Sequence, residues 1–234
     1  MKFILLGQDV NHIKNVLRCQ KGEHIEICNS ETSKNYLCEI NKIEKEEIEC
    51  NILENLRSNV ETDIKVTIFQ GLPKADKMEY IIQKSVELGA YDITPVEMKR
   101  CIVKLNEKDK EKKIQRWQKI AEVAAKQCKR DIIPKINNIT NVKLICNIIQ
   151  NYDIILVAYE KEKERTLKSE LKKIKEYNQK NIGIIIGPEG GLDEDDVKLL
   201  EESGAKVITL GNRILRTETV ALNVLSNIMY ELEI

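Results

Sequence analysis

Between residues 23 and 53 apolar and polar positions alternate with a period of two, in His24-Ile25-Glu26-Ile27-Cys28, Tyr36-Leu37-Cys38-Glu39-Ile40 and Glu47-Ile48-Glu49-Cys50-Asn51-Ile52. This spacing puts every second side chain on one face of an extended chain, so three short half-buried strands are expected. Polar turns at 29–35 and 44–46 separate them, which predicts a small antiparallel sheet or barrel. Ahead of them, apolar residues at 10, 13, 16 and 17 predict a short helix.

After the strand-like run Ile64–Phe69 the period lengthens. Asp76 with Glu79 three residues on has the form of a capping box; Met78, Ile81, Ile82, Ser85 and Val86 mark one helical face, and Gly89 ends it. Ile93–Met98 then reads as a strand. A long amphipathic helix from about 108 to 129 follows, with Ile114, Trp117, Ala121, Ala124 and Cys128 at three- and four-residue steps. Strands are expected at 154–159, 182–186 and 206–210, and a final helix at 217–232. The lysine- and glutamate-rich stretch from 160 to 176 carries Leu167, Leu171 and Ile174 at helical spacing and predicts a solvated helix.

Strand and helix alternating at this pitch imply a parallel sheet covered on both faces, with ligands at the carboxyl ends of its strands. The expected fold is therefore α/β, preceded by a small β-rich domain. The division is placed near residue 72: domain 1–72, then domain 73–234.

Composition narrows the class. Apolar content of 42% with strong periodicity excludes a disordered chain, and no apolar run approaches the roughly 18 to 20 residues that span a bilayer. MKFILLG at the start is too short for a secretory apolar segment, so a soluble, cytoplasmic protein is expected. The seven cysteines contain no Cys-x-x-Cys pair and only two histidines exist, which rules out the usual zinc spacings; reduced, mostly buried thiols and no metal are expected. Net charge is zero, yet residues 73–135 hold sixteen Lys and Arg against ten Asp and Glu, a surplus that permits a local basic patch.

Two stretches carry candidate chemistry. Gly187-Pro188-Glu189-Gly190-Gly191 follows a predicted strand and precedes a helix start, as phosphate loops do. It lacks both the Gly-x-Gly-x-x-Gly spacing and a following Gly-Lys-Ser/Thr. Asp193, Glu194, Asp195 and Asp196 already complement the helix N-terminus and would repel a phosphate, so the turn suits a neutral or cationic ligand that needs close backbone approach. A purely structural glycine turn has the same appearance. The second stretch, Leu210-Gly-Asn-Arg-Ile-Leu-Arg-Thr-Glu-Thr219, joins a strand to the last helix, with Thr217 or Thr219 able to cap it. Arg213 and Arg216 near a helix N-terminus oppose the helix dipole, a local conflict typical of functional sites.

Taken together, these two motifs resemble the bacterial ribosomal RNA small subunit methyltransferase E family, within the SPOUT methyltransferases. Val16-Leu17-Arg18, Pro73-Lys-Ala-Asp-Lys77, Lys84–Gly89, Ala124–Gln127, Arg130 and Pro134 extend the similarity along nearly the whole chain. Leu192, Asp193 and Val220 depart from the family pattern. The resemblance implies a PUA-like N-terminal β-barrel domain, a C-terminal α/β domain with a deep trefoil knot, a homodimer, S-adenosylmethionine as cofactor, and methylation of uridine N3 in 16S rRNA of the small subunit.

By the same resemblance Gly187, Pro188, Glu189, Gly190, Gly191, Leu210, Gly211, Arg213, Ile214, Leu215, Arg216 and Thr217 are the expected cofactor residues, with Leu210, Ile214 and Leu215 on the adenine. Arg216, Glu218 and Glu189 are the expected catalytic groups: the arginine steadies charge on the uracil carbonyls, and a carboxylate takes the N3 proton. A structural Arg216–Glu218 ion pair is the competing expectation. Arg18, Lys74, Lys77, Lys84, Arg100, Lys126 and Arg130 are the expected RNA contacts. Action on transfer RNA or a ribose hydroxyl, and a non-catalytic RNA-binding or assembly role, are the alternatives.

Overall fold

The computed structural model describes residues 2–29, 32, 34–57 and 60–233, so parts of the predicted 29–35 turn lie outside the described residues. The chain forms two compact units, Met1–Glu61 with Arg130–Ile132, and Thr62–Lys129 with Ile133–Ile234. The division thus falls near 61, not 72.

The first unit is a curled four-stranded antiparallel sheet of β1 (Lys2–Leu6), β2 (His24–Asn29), β3 (Lys34–Ile43) and β4 (Glu47–Leu56), in the order β1-β4-β3-β2. The three period-two stretches are β2, β3 and β4. β1 is additional; its Phe3 and Leu5 face Cys50 and Ile48 of β4. Alternation puts Cys38, Ile40, Ile48 and Cys50 inside, where Val10 and Ile13 of the short helix α1 (Gln8–Asn11, continued by a wider turn over His12–Val16) close over them. Val16 and Leu17, expected on the same apolar face, are exposed because the widened turn rotates them outward.

The second unit is a parallel sheet of β5 (Lys65–Gly71), β6 (Asp92–Glu97), β7 (Lys135–Ile136), β9 (Ile154–Ala158), β10 (Asn181–Ile186) and β11 (Lys206–Ile208), in the order β11-β9-β10-β5-β6-β7, with β8 (Thr140–Asn141) paired to β6. β5, placed by the sequence reading on the small-domain side, runs parallel to both β10 and β6 in the middle of this sheet. That is why the boundary moves. Ile182 and Ile184–Ile186 of β10 are all buried. Each such side chain contributes about 1.5–3 kcal/mol, more than a helix cap at about 1 kcal/mol. Burial on both faces therefore fixes the strand from which the glycine turn departs.

The connecting helices are α2 (Lys77–Glu87), α3 (Glu107–Gln127), α4 (Val142–Cys146), α5 (Leu167–Glu176), α6 (Glu194–Glu202) and α7 (Thr217–Leu232). Right-handed crossovers put α2 and α5 on one face; α6, whose strand step runs the other way, falls on the opposite face. α7 packs on α2, α5 and β10. The predicted stripe of α2 is buried, and its end is a Schellman motif: Gly89, at φ +87°, donates to Val86 and Ala90 to Ser85. Asp76 is the N-cap residue but makes no side-chain cap, and Glu79 pairs with Arg116 at 2.7 Å in place of a capping box. In α5 the apolar spacing is borne out by burial of Leu167, Leu171 and Ile174, while residues 160–166 form a loop before the Thr166 cap. Among the described residues no helix is long and apolar enough to cross a membrane.

At the sheet edge Thr209 bridges Thr166 in parallel: Thr209 donates to Arg165 and Leu167 donates to Thr209. The end of β11 therefore lies between β9 on one side and residues 165–167 on the other.

Candidate functional site

The carboxyl ends of β9, β10 and β11 open into a cleft of about 450 Å³. All twelve expected cofactor residues line it: 187–191 form one wall, and Leu210, Gly211, Arg213, Ile214, Leu215, Arg216 and Thr217 the other. Ala158, Tyr159 and Glu160, at the end of β9, also line it and were not singled out from the sequence. Their signal is topological, since a strand end acquires meaning only when the strand order is known.

The glycine turn is tight for identifiable reasons. Gly191 has φ +70°, and a Cβ there would lie 2.9 Å from Glu160 Oε1. From the sheet side β5 presses against the turn: a Cβ on Gly71 would lie 2.7 Å from Pro188. Asp193 caps α6, accepting from Asp195 N–H, and Lys99 Nζ pairs with Asp193 at 3.0 Å and Asp195 at 2.7 Å. Lys99 thus engages two residues of the acidic run from outside the cleft, while the lining itself carries two carboxylates, Glu160 and Glu189, and two guanidinium groups, Arg213 and Arg216. Among the described residues no group of three His, Cys, Asp or Glu side chains could hold a metal ion.

The second wall is joined to the first through Thr217. Its hydroxyl donates to Gly187 O at 2.7 Å and accepts from Gln70 Nε2 at 2.8 Å. The N-cap residue of α7 is Arg216, without a side-chain cap, so neither Thr217 nor Thr219 caps the helix. Leu210 and Leu215 are half-buried, but Ile214 is 85% exposed at the mouth.

Of the three expected catalytic residues, Glu189 and Arg216 line the cleft and Glu218 does not, and the three differ in environment. Glu189 accepts from Lys74 N–H at 3.0 Å and pairs with Lys77 Nζ at 3.2 Å. Burial raises its pKa, but its own backbone N–H, that of Lys74 and the Lys77 ammonium outweigh burial and hold it below the ordinary carboxylate value. Glu218 lies 3.4 Å from the same ammonium, not paired with Arg216, and its Oε2 accepts no hydrogen bond among the described residues. Arg216 is exposed at the cleft.

Of the expected RNA contacts, Arg18, Lys74 and Lys126 are exposed. Lys77 and Lys84 are engaged with carboxylates, Lys84 with Glu87 at 2.8 Å. Arg100 reaches Gly190 O at 3.3 Å and Asp193 at 3.4 Å, which makes it a buttress of the glycine turn. Arg130 is corrected outright. Its side chain is 6% exposed and forks onto Glu61, at 3.1 and 2.6 Å, so its guanidinium cannot meet a phosphate.

With this geometry in place, the relatives are informative. Residues 60–229 match the model of an RNA methyltransferase domain, and residues 5–53 that of an RNA methyltransferase PUA domain. The chain is 39% identical to ribosomal RNA small subunit methyltransferase E of Bacillus subtilis, over 99% of this chain and 91% of that protein. This chain belongs to the ribosomal RNA small subunit methyltransferase E family. The family protein of Mesomycoplasma hyopneumoniae is 36% identical over 96% of this chain and 92% of its own length. Among solved structures, the family enzyme of Neisseria gonorrhoeae bound to S-adenosyl methionine superposes with a TM-score of 0.87 at 29% identity, covering 99% of this chain and 92% of that one. A putative methyltransferase of Legionella pneumophila with bound cofactor superposes at 0.84 with 28% identity, covering 98% and 92%. The first unit is accordingly a PUA domain and the second an RNA methyltransferase domain.

Proposed function

We propose that this chain methylates N3 of a uridine in 16S rRNA of the small ribosomal subunit, with S-adenosylmethionine as methyl donor. The observation that carries the reading is the cleft between the two glycine-bearing turns, lined by backbone, two carboxylates and two arginines in a protein of this family. The Glu160 and Glu189 carboxylates in that lining suit a sulfonium. The glycine cradle fits as well, since a Cβ on Gly187 would lie 2.9 Å from Gly191. Residues 187–191, 210, 211 and 213–217 would hold the cofactor. When bound, it supplies an electrophilic methyl group on sulfur.

The chain's own residues prepare the acceptor. Uracil N3 is a poor nucleophile until its proton leaves. Arg216 lines the cleft, where its guanidinium would steady charge on the uracil carbonyl oxygens. Glu218 takes the proton in preference to Glu189: Lys77 reaches both, but Glu189 also accepts from Lys74 N–H and its pKa is held low. Arg18, Lys74 and Lys126 supply phosphate contacts.

Three structural features belong to the same reading. Residues 210–217 pass beneath the 159–166 loop to tie the chain end in a trefoil knot; the placement of Thr209 between β9 and residues 165–167, with α7 continuing to α2 and β10, supports this. The active form is a homodimer, and the PUA unit closes as a small barrel.

The test is to incubate the protein with labelled S-adenosylmethionine and small subunits from a strain lacking the gene, then map the modified nucleoside by mass spectrometry. N3-methyluridine in 16S rRNA is expected. Label confined to transfer RNA, to a ribose hydroxyl, or absent altogether would overturn the proposal.

A further inference from the structure

Gln70 is the penultimate residue of β5 and is completely buried, yet it lines no part of the cleft. Its Nε2 makes two hydrogen bonds, to Gly71 O at 2.9 Å and to Thr217 Oγ1 at 2.8 Å, while its Oε1 accepts none among the described residues. The orientation of the amide is determined by its neighbour. Thr217 gives its single hydroxyl proton to Gly187 O at 2.7 Å, so toward Gln70 it can only accept. A buried amide whose oxygen lacks a donor is unfavourable, and its neighbours in the chain, Ile68, Phe69 and Leu72, are buried and apolar. What the glutamine provides is its pair of donors.

Those donors fall where three segments meet. Gly71 packs directly on Pro188 of the first wall, and Thr217 begins α7 at the end of the second. We infer that Gln70 is a positioning residue for the cofactor: through Thr217 it locks the 210–217 wall to the 187–191 turn and sets the width of the cleft. The hydrogen bonds run in one direction, from Gln70 amide to Thr217 hydroxyl to Gly187 carbonyl. Removing the first donor frees the hydroxyl to rotate, and the link between the walls loosens. This inference rests on the cleft being the S-adenosylmethionine site.

The experiment is calorimetric titration of S-adenosylmethionine into the full-length protein and its Gln70→Met variant, which keeps side-chain length and removes both donors, with melting temperatures recorded with and without the cofactor. Wild-type binding tests the site assignment itself; the comparison tests Gln70. The variant is expected to bind about tenfold more weakly, the loss of one to two hydrogen bonds' net effect, and to show a smaller cofactor-induced rise in melting temperature. A purely structural role would lower both melting temperatures equally and leave the dissociation constant alone. Thr217→Ser and Thr217→Val give a second comparison that does not depend on Gln70→Met folding. Serine is expected to bind within about twofold of wild type and valine about tenfold more weakly, again by one hydrogen bond. If wild type binds and Gln70→Met binds equally well, or if serine and valine are indistinguishable, the inference fails.

Discussion

The Lys77 ammonium lies 3.2 Å from Glu189 and 3.4 Å from Glu218, so one cation bridges the glycine turn and the first turn of α7. A residue that the sequence places among phosphate contacts is engaged within the protein's own side chains, between two candidate catalytic carboxylates. Its pKa is raised, by the Glu189 hydrogen bond first and by Glu218, against the lowering effect of burial.

The pH dependence of this cluster has a definite sign. Glu189, held low, contributes stability that is fully present above the ordinary glutamate value of about 4.3 and is lost as pH falls through its lower folded value. Lys77, held high, contributes stability that is present below about 10.4 and is lost as pH rises through its higher folded value. Between those limits Lys77→Met is expected to lower the melting temperature, and the difference from wild type should shrink below about pH 4. Melts from pH 3 to 8 check this. A difference that grows toward acid pH would contradict it.

Arg216→Ala is expected to lower turnover by about 10²–10³, the usual effect of removing one donor to developing charge, with a smaller loss of affinity for S-adenosylmethionine. Single-turnover kinetics alongside calorimetry separate the two quantities. Normal turnover would remove Arg216 from the mechanism.

Arg130→Ala is expected to destabilise the protein by about 2–3 kcal/mol, below the usual range for breaking a buried pair because Glu61 keeps partial access to water. Urea denaturation measures it. The salt dependence of RNA binding should not change, whereas Arg18→Ala and Lys74→Ala should each reduce the salt slope by about one. Equal effects from all three variants would restore Arg130 to the RNA surface.

Gly191→Ala combines a strained backbone at φ +70° with a Cβ 2.9 Å from Glu160 Oε1. A stability loss of about 1–2 kcal/mol and a weaker affinity for S-adenosylmethionine are expected. Thermal melts and calorimetry read both; an unchanged affinity would show that the turn's shape does not govern binding.

Much of this architecture is legible in the chain because burial leaves a periodic trace. The alternation of 24–52, the isoleucine run of β10 and the stripe of α2 each encode their element directly. Partnership is not encoded in that way. Ile64–Phe69 reads as a strand, but nothing local says that its neighbours are β10 and β6, so the domain boundary moves once pairing is known. Two-residue strands such as β7 have no period to detect. At the site, both glycine turns stand out as motifs, whereas Tyr159 and Glu160 are only a strand end. The partners of Arg130 and Thr217, Glu61 and Gln70, are 69 and 147 residues away, beyond any spacing argument. Thr217 beside a helix start therefore reads as a cap when it is a link between two walls.

A crystal structure of the protein with S-adenosylmethionine tests the central claim most directly. The account predicts cofactor density between residues 187–191 and 210–217, with the methyl-bearing sulfur facing Arg216. Cofactor bound elsewhere, or those two turns closed against each other with no space between them, would contradict it.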